Sequence, residues 1–235
     1  MNKASILKSI NDAKNLLSES DLLKDVNKSR KFTLDFGKYS REFMEVFQSD
    51  NYDEIYKKAM KNMDFDFLLI DDSFFQFSCT SEEDTIDEGN LRYAYFENPR
   101  KYDTYEEFLA KCGFSYEECG EEFYFEYEQE IAEAKLKDSV TPIRYDYDYG
   151  LYTPIEHSIS HFHFGHNNNI RVATSKILTP TKFVSFVMRN MYTKKWMQAF
   201  TNEKFKTTCL TARQACHPID ERFFTEDEKL LLHIF

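Results

Sequence analysis

Six glycines in 235 residues leave the chain without a glycine-rich phosphate loop, which argues against motor or dinucleotide chemistry. Its five cysteines, at positions 79, 112, 119, 209 and 216, are odd in number and never form a C-x-x-C pair. Neither a disulfide framework nor a cysteine zinc knuckle is therefore predicted, and reduced thiols are expected. No G-x-S-x-G elbow and no H-E-x-x-H helix is present. No apolar run approaches the roughly 18 to 20 residues that cross a bilayer, and residues 1–17 are interrupted by Lys3, Lys8, Asp12 and Lys14. The expectation is a cytoplasmic protein with no membrane partner.

Aromatic side chains are what the chain has in quantity: 23 Phe and 15 Tyr, within a 17% aromatic share, predict a core built on rings. The net charge of −11 is unevenly spread. Residues 80–135 hold 17 acids against 5 bases, whereas residues 150–235 hold 7 acids against 11 bases. Either nucleic acid meets the basic C-terminal third or the two halves of one fold complement each other; the second is preferred, and a pI near 5.1 speaks against a dedicated duplex-binding surface.

The periodicity predicts one α+β domain over residues 1–235, with a helical N-terminal layer over 1–63 and a sheet-containing core over 64–235. Helical spacing links Ile6, Ile10, Ala13, Leu16 and Leu17, then Phe36, Tyr39, Phe43, Val46 and Phe47, then Tyr52, Ile55, Tyr56, Ala59 and Met63. From Asp64 the period shifts to two, predicting a hairpin turning at Asp71-Asp72 and a third strand from Leu91. Capping pairs Thr104/Glu107 and Ser115/Glu118 open two helices, the second reaching about Lys137. Further strands follow at Arg144–Tyr149, in the histidine segment and at Ile170–Ser175. Thr179-Pro180 opens a long helix through about Phe200, and Thr225/Glu228 opens a last one ending in Leu230-Leu231-Leu232. The sum is an antiparallel sheet of about five or six strands, with the N-terminal helical layer and the long C-terminal helix packed on it.

The chemistry concentrates between residues 144 and 171. Arg144-Tyr145-Asp146-Tyr147-Asp148-Tyr149 alternates polar and aromatic, and Glu156-His157-Ser158-Ile159-Ser160-His161-Phe162-His163-Phe164-Gly165-His166 holds four of the six histidines. On strands, Arg144, Asp146 and Asp148 share a face opposite the tyrosines, and His161 and His163 share a face opposite Phe162 and Phe164. Asn167-Asn168-Asn169 predicts a turn that returns Arg171 towards His163. Three readings stay open: His161 and His163 bind a divalent metal such as zinc or manganese, with Asp146 or Asp148 as third ligand and water as fourth; two histidines act as acid and base on a phosphodiester steadied by Arg144 or Arg171; or these groups line the wet face of an amphipathic sheet. His217 and His233 stand apart from the cluster.

The segments Leu68-Leu69-Ile70-Asp71-Asp72-Ser73-Phe74-Phe75-Gln76-Phe77, Leu91-Arg92-Tyr93-Ala94-Tyr95-Phe96 and Ile143-Arg144-Tyr145-Asp146-Tyr147-Asp148 carry a resemblance, as do residues 157–165, Arg171, Leu178-Thr179-Pro180, Phe183 and Arg189-Asn190-Met191-Tyr192. Together they resemble the bacterial "domain of unknown function 2290" family. The order Arg-x-Asp followed by His-x-x-x-His-x-His is also similar to that of small His-rich bacterial toxins, although those lack the helical N-terminal layer. The resemblance implies a cytoplasmic bacterial phage-defence or toxin-like protein that cleaves RNA or another phosphodiester through His161, His163, Arg144, Asp146 and Arg171. The alternative is a non-catalytic module docking a larger protein encoded nearby. Oligomeric state is not implied by either.

Overall fold

In the computed structural model, residues 1–28, 39–47, 51–81, 84–86 and 88–231 are described. Helix α1 (Lys3–Glu19) begins at Asn2, whose side chain accepts from the Ser5 amide, and buries Ile6, Ile10, Ala13, Leu16 and Leu17. It is followed by strand β1 (Leu23–Val26), α2 (Arg41–Val46) and α3 (Tyr52–Lys61). The antiparallel sheet continues through β2 (Phe67–Leu69), β3 (Phe74–Thr80) and β4 (Asn90–Phe96), and then an excursion of three helices, α4 (Tyr105–Cys112), α5 (Tyr116–Cys119) and α6 (Tyr124–Glu133). Strands β5 (Ile143–Asp148), β6 (Ser160–Phe164) and β7 (Arg171–Ala173) complete it. Helices α7 (Pro180–Met191), α8 (Thr193–Ala199), α9 (Glu203–Gln214) and α10 (Glu226–Leu231) close the chain.

The seven strands are neighbours in chain order, β1 to β7, all antiparallel. This is one strand more than the periodicity predicts. The additional strand is β1, which lies inside the stretch read as purely helical. It escapes the hydrophobic pattern because it is a four-residue edge strand with Lys24 and Asp25 in its middle, a composition that suits an edge. Its place is set by backbone bonds from Ile70 N to Leu22 O at 3.0 Å and from Asn27 N to Asp66 O at 3.1 Å.

One sheet face is the aromatic core. Phe75, Phe77, Tyr93, Tyr95, Tyr145, Tyr147 and Phe162 all project there against α1 and α7, whose Phe183, Val184, Val187 and Met188 are 0% exposed. Burial of each such side chain contributes about 1.5 to 3 kcal/mol, so these rings dominate the stability of the sheet. Ser9 on α1 and Thr181 on α7 pin the two helices together: their hydroxyls lie 2.7 Å apart, and Thr181 Oγ1 donates to Ser9 O.

The opposite face is divided. Over β2 to β4, helices α2 and α3 cover Phe74, Ala94 and Phe96 with Phe43, Tyr52, Ile55, Tyr56 and Ala59. Beyond them, over β4 to β7, the face is polar, and the candidate site occupies it.

Two helices read as continuous are broken. Gly120, at φ +53, separates α5 from α6, and the helical stretch ends at Glu133 rather than near Lys137. The long C-terminal helix stops at Tyr192, whose hydroxyl donates to Asp71 Oδ2 at 2.9 Å and lies 2.9 Å from Tyr95 Oη. Tying that ring to the β2–β3 turn holds its backbone at φ −124, ψ 46, outside the helical region. All five cysteines are free thiols. Thr225 and Glu228 cap α10 as expected, with the Thr225 amide donating to Glu228 Oε2 at 2.9 Å. Phe36, Leu232 and His233, named in the sequence patterns, lie outside the described residues.

Candidate active site

Register assembles the site before any side chain is considered. Across β4, β5, β6 and β7, Arg92 pairs with Asp146, Asp146 with His161, and His161 with Ala173. In the adjacent row Ala94 pairs with Arg144, Arg144 with His163, and His163 with Arg171. Directly paired residues on one face stand about 4.5 to 5.5 Å apart at Cβ, so the two rows form a single patch.

Asp146 is its centre. This carboxylate is 6% exposed. Its Oδ1 accepts a hydrogen bond from Arg92 Nε at 3.1 Å, and its Oδ2 lies 2.9 Å from Arg144 Nε and 3.4 Å from His163 Nε2. The Arg144 contact is an ion pair too bent to count as a directed hydrogen bond. Burial pushes the Asp146 carboxyl up, but the His163 contact and the two guanidinium groups outweigh it and hold the group well below the usual carboxylate range.

His161 and His163 meet nitrogen to nitrogen, with Nε2 atoms 2.9 Å apart. His161 Nδ1 lies 2.7 Å from Ser158 O, an acceptor only, so Nδ1 carries the proton and donates. Its Nε2 is then the acceptor for His163 Nε2–H. Nδ1 of His163 is left unprotonated in the neutral ring. His157 packs edge-on against His161 with centroids 4.9 Å apart, and His161 itself is 1% exposed. Burial and the neighbouring His163 push the His161 imidazole down to about 4, and burial lowers His163 as well.

That depression has a measurable consequence for stability. Between pH 6.5, the ordinary histidine value, and about 4, the unfolded chain binds a proton on His161 that the folded chain refuses. The stabilisation is complete above pH 6.5 and is lost as pH falls towards 4, reaching about 3 kcal/mol from this one group. Urea titrations across this range should show the decline, and H161Q should flatten it; an unchanged slope in H161Q would assign the acid sensitivity elsewhere.

A pocket of about 270 Å³ opens beside the cluster, lined by Arg144, His163, Arg171, His166, Tyr52 and Phe96 among others. His161 and Asp146 are not part of its lining. They sit behind His163. Arg171 is exposed at the pocket, next to His163 by register.

The structure thus brings together four of the five residues named from sequence, Arg144, Asp146, His161 and His163, and sets Arg171 at their open side. Asp148 and Glu156 do not join them: Asp148 Oδ1 accepts from the Leu151 amide at 3.1 Å, and Glu156 is exposed. Sequence reasoning passed over Arg92. Its signal was present, since Arg92 alternates with Tyr93 and therefore faces away from the core, but only the β4–β5 register places it on Asp146. Gly165 is required for local geometry, because it adopts φ +82 and a Cβ there would stand 2.5 Å from Asn168 Nδ2.

Three of these groups also form a candidate metal-ligand set. One donor atom each from Asp146, His161 and His163 lie within 4.8 Å of one another. Two ligands of one tetrahedral zinc, each about 2.0 to 2.1 Å from the ion, stand about 3.3 Å apart, against 2.9 Å between the two imidazoles and 3.4 Å from His163 Nε2 to Asp146 Oδ2. Charge opposes a cation. Two guanidinium groups already neutralise Asp146, leaving the patch net positive and better suited to an anion.

Comparison with known proteins follows the same residues. The model of a family described as uncharacterized conserved protein (DUF2290) matches residues 17–235, which spans every strand and the whole site. The chain belongs to the DUF2290 family. No curated protein and no solved structure matches it. In this DUF2290 chain, no helix among the described residues is long and apolar enough to cross a membrane.

Proposed function

We propose that this DUF2290 protein is a phosphodiester-cleaving enzyme acting on RNA, in a bacterial phage-defence or toxin-like setting. The observation that carries the reading is His163: it is the one imidazole of the hydrogen-bonded pair that lines the pocket, it shares that pocket with Arg144 and Arg171, and it is backed by a buried carboxylate. In this reading Nδ1 of His163 takes the proton of a ribose 2′-hydroxyl, the 2′ oxygen bonds to phosphorus, and the phosphorus–O5′ bond breaks. The departing 5′ oxygen takes a proton from water, and the hydroxide so formed takes the proton held by His163, leaving a 2′,3′-cyclic phosphate, a 5′-hydroxyl and neutral His163. Asp146 stabilises the imidazolium that forms, as a buried carboxylate does in a catalytic triad. Arg144 and Arg171 hold the non-bridging phosphate oxygens. His161 fixes the tautomer and ring orientation of His163 through the 2.9 Å contact.

Cleavage of a single-stranded RNA oligonucleotide in excess chelator should yield cyclic phosphate ends, and a single 2′-deoxy substitution at the cleaved position should block it. Cleavage that requires added zinc or manganese, or that proceeds through the deoxy substitution, would overturn this mechanism. Separately, about one zinc or manganese per chain purified without chelator would restore the reading in which His161, His163 and Asp146 are ligands.

A docking role has separate support in the excursion of α4 to α6. Residues 103–133 carry 11 acids and one base, and leave Phe125 67%, Tyr116 49%, Phe114 43% and Tyr124 42% exposed. Acidic surface interleaved with exposed rings suits a basic protein partner.

A further inference from the structure

We infer that the pocket beside His163 is a subsite for one unstacked nucleotide, so that the substrate of this site is single-stranded RNA. The inference rests on the cleavage reading above and adds to it the class of nucleic acid and the residues that hold its nucleoside. The pocket has two chemically different walls. One carries Arg144, His163 and Arg171, cationic or proton-transferring groups suited to a phosphate. The other carries Phe47, Tyr52, Phe96 and His166, which are rings. Tyr52 and His166 lie with centroids 5.5 Å apart at 57°, and Tyr52 stacks on Phe96 at 6.4 Å, so the half-buried rings of Phe47 and His166 form the open part of this wall, backed by the buried rings of Tyr52 and Phe96. Base stacking on such a surface is sequence-tolerant because every base has a π face.

Size excludes a duplex. At about 270 Å³ the space falls just below the range of about 300 to 1,000 Å³ typical of pockets for small organic ligands. It accommodates one nucleotide unit, and a paired base would have to leave its helix to enter, at a cost of a few kcal/mol. His166 Nε2 supplies an independent pointer to a ligand: it is shielded from water and has no hydrogen-bond partner among the described residues. Such a buried nitrogen is costly unless a bound group satisfies it. The loop that presents it is built rather than loose. Gly165 N donates to Pro142 O at 2.8 Å, Asn168 Nδ2 donates to Phe164 O at 2.6 Å, and the Ile170 amide donates to Asn168 Oδ1 at 3.0 Å.

Heteronuclear NMR titration of the wild-type chain with adenosine 3′-monophosphate, adenosine and inorganic phosphate tests the subsite directly. Adenosine 3′-monophosphate should shift the ring resonances of both His163 and His166 and bind at least tenfold more tightly than inorganic phosphate. H166A, checked by thermal melting, should lose at least tenfold of that advantage. In parallel, a single-stranded RNA should be cleaved at least a hundredfold faster than the same strand held in a duplex. Equal affinity for nucleotide and phosphate, or equal cleavage of duplex and single strand, would overturn the subsite and leave the cleavage reading intact. Tight, His166-dependent nucleotide binding with no RNA cleavage would instead overturn the cleavage reading and leave a nucleotide-binding pocket.

Discussion

Replacing His163 with asparagine is expected to slow RNA cleavage by about a hundred- to ten-thousand-fold, the usual contribution of a general acid or base, with little change in melting temperature. Asparagine keeps a polar side chain beside Asp146 but offers no nitrogen that titrates near neutrality. Because His163 lines the pocket, water can enter in its place and supply the hydrogen bond that His161 Nε2 loses. H161A should behave differently. His161 is 1% exposed and bonded on both sides, so its removal leaves Ser158 O and His163 Nε2 without their partner and costs about 1 to 3 kcal/mol for a buried unsatisfied group. Paired melting curves and cleavage rates separate the two roles. If H163N lost its fold, or kept full activity, the histidines would be structural and the catalytic assignment would fall.

Asp146 should give the largest loss of stability in the site. D146N leaves Arg144 and Arg92 beside a neutral group, with Arg144 half-buried at the edge of the pocket. Removing one partner of a buried ion pair costs about 3 to 5 kcal/mol. For a chain of this size each kcal/mol moves the melting temperature by about 2 to 4 °C, so a fall of roughly 6 to 20 °C is expected by calorimetry. Part of the cost comes from uncompensated positive charge, so R92Q combined with D146N should recover some of it. Arg92 is partly exposed and its share is correspondingly smaller. A D146N melting curve superimposable on wild type would show that the guanidinium groups find other compensation, and would remove Asp146 as the organising charge.

Much of this arrangement was legible beforehand. Alternation placed Arg144 and Asp146 on one face of a strand and His161 and His163 on one face of another, because the side-chain period of a strand is two whatever its neighbours. The asparagine turn returned Arg171 to His163 for an equally local reason. The β1 edge strand was not legible, since four residues with two charges carry no hydrophobic period. Nor was the end of α7 at Tyr192, where a hydroxyl bonded to Asp71, 121 residues away in sequence, overrides helical continuity. Arg92 could be given a face but not a partner.

The role of the polar face followed the same division. Composition and spacing determined by themselves that the chain is α+β with an aromatic core and that its titratable groups gather on one side of a sheet, because burial of rings and strand alternation are local rules. Which histidine meets solvent, which lies sealed behind it, and that the face is half covered by α2 and α3 to leave a pocket were decided only by tertiary structure. Those properties depend on strand register and on residues such as Tyr52 and Phe96, brought to the site from far along the chain.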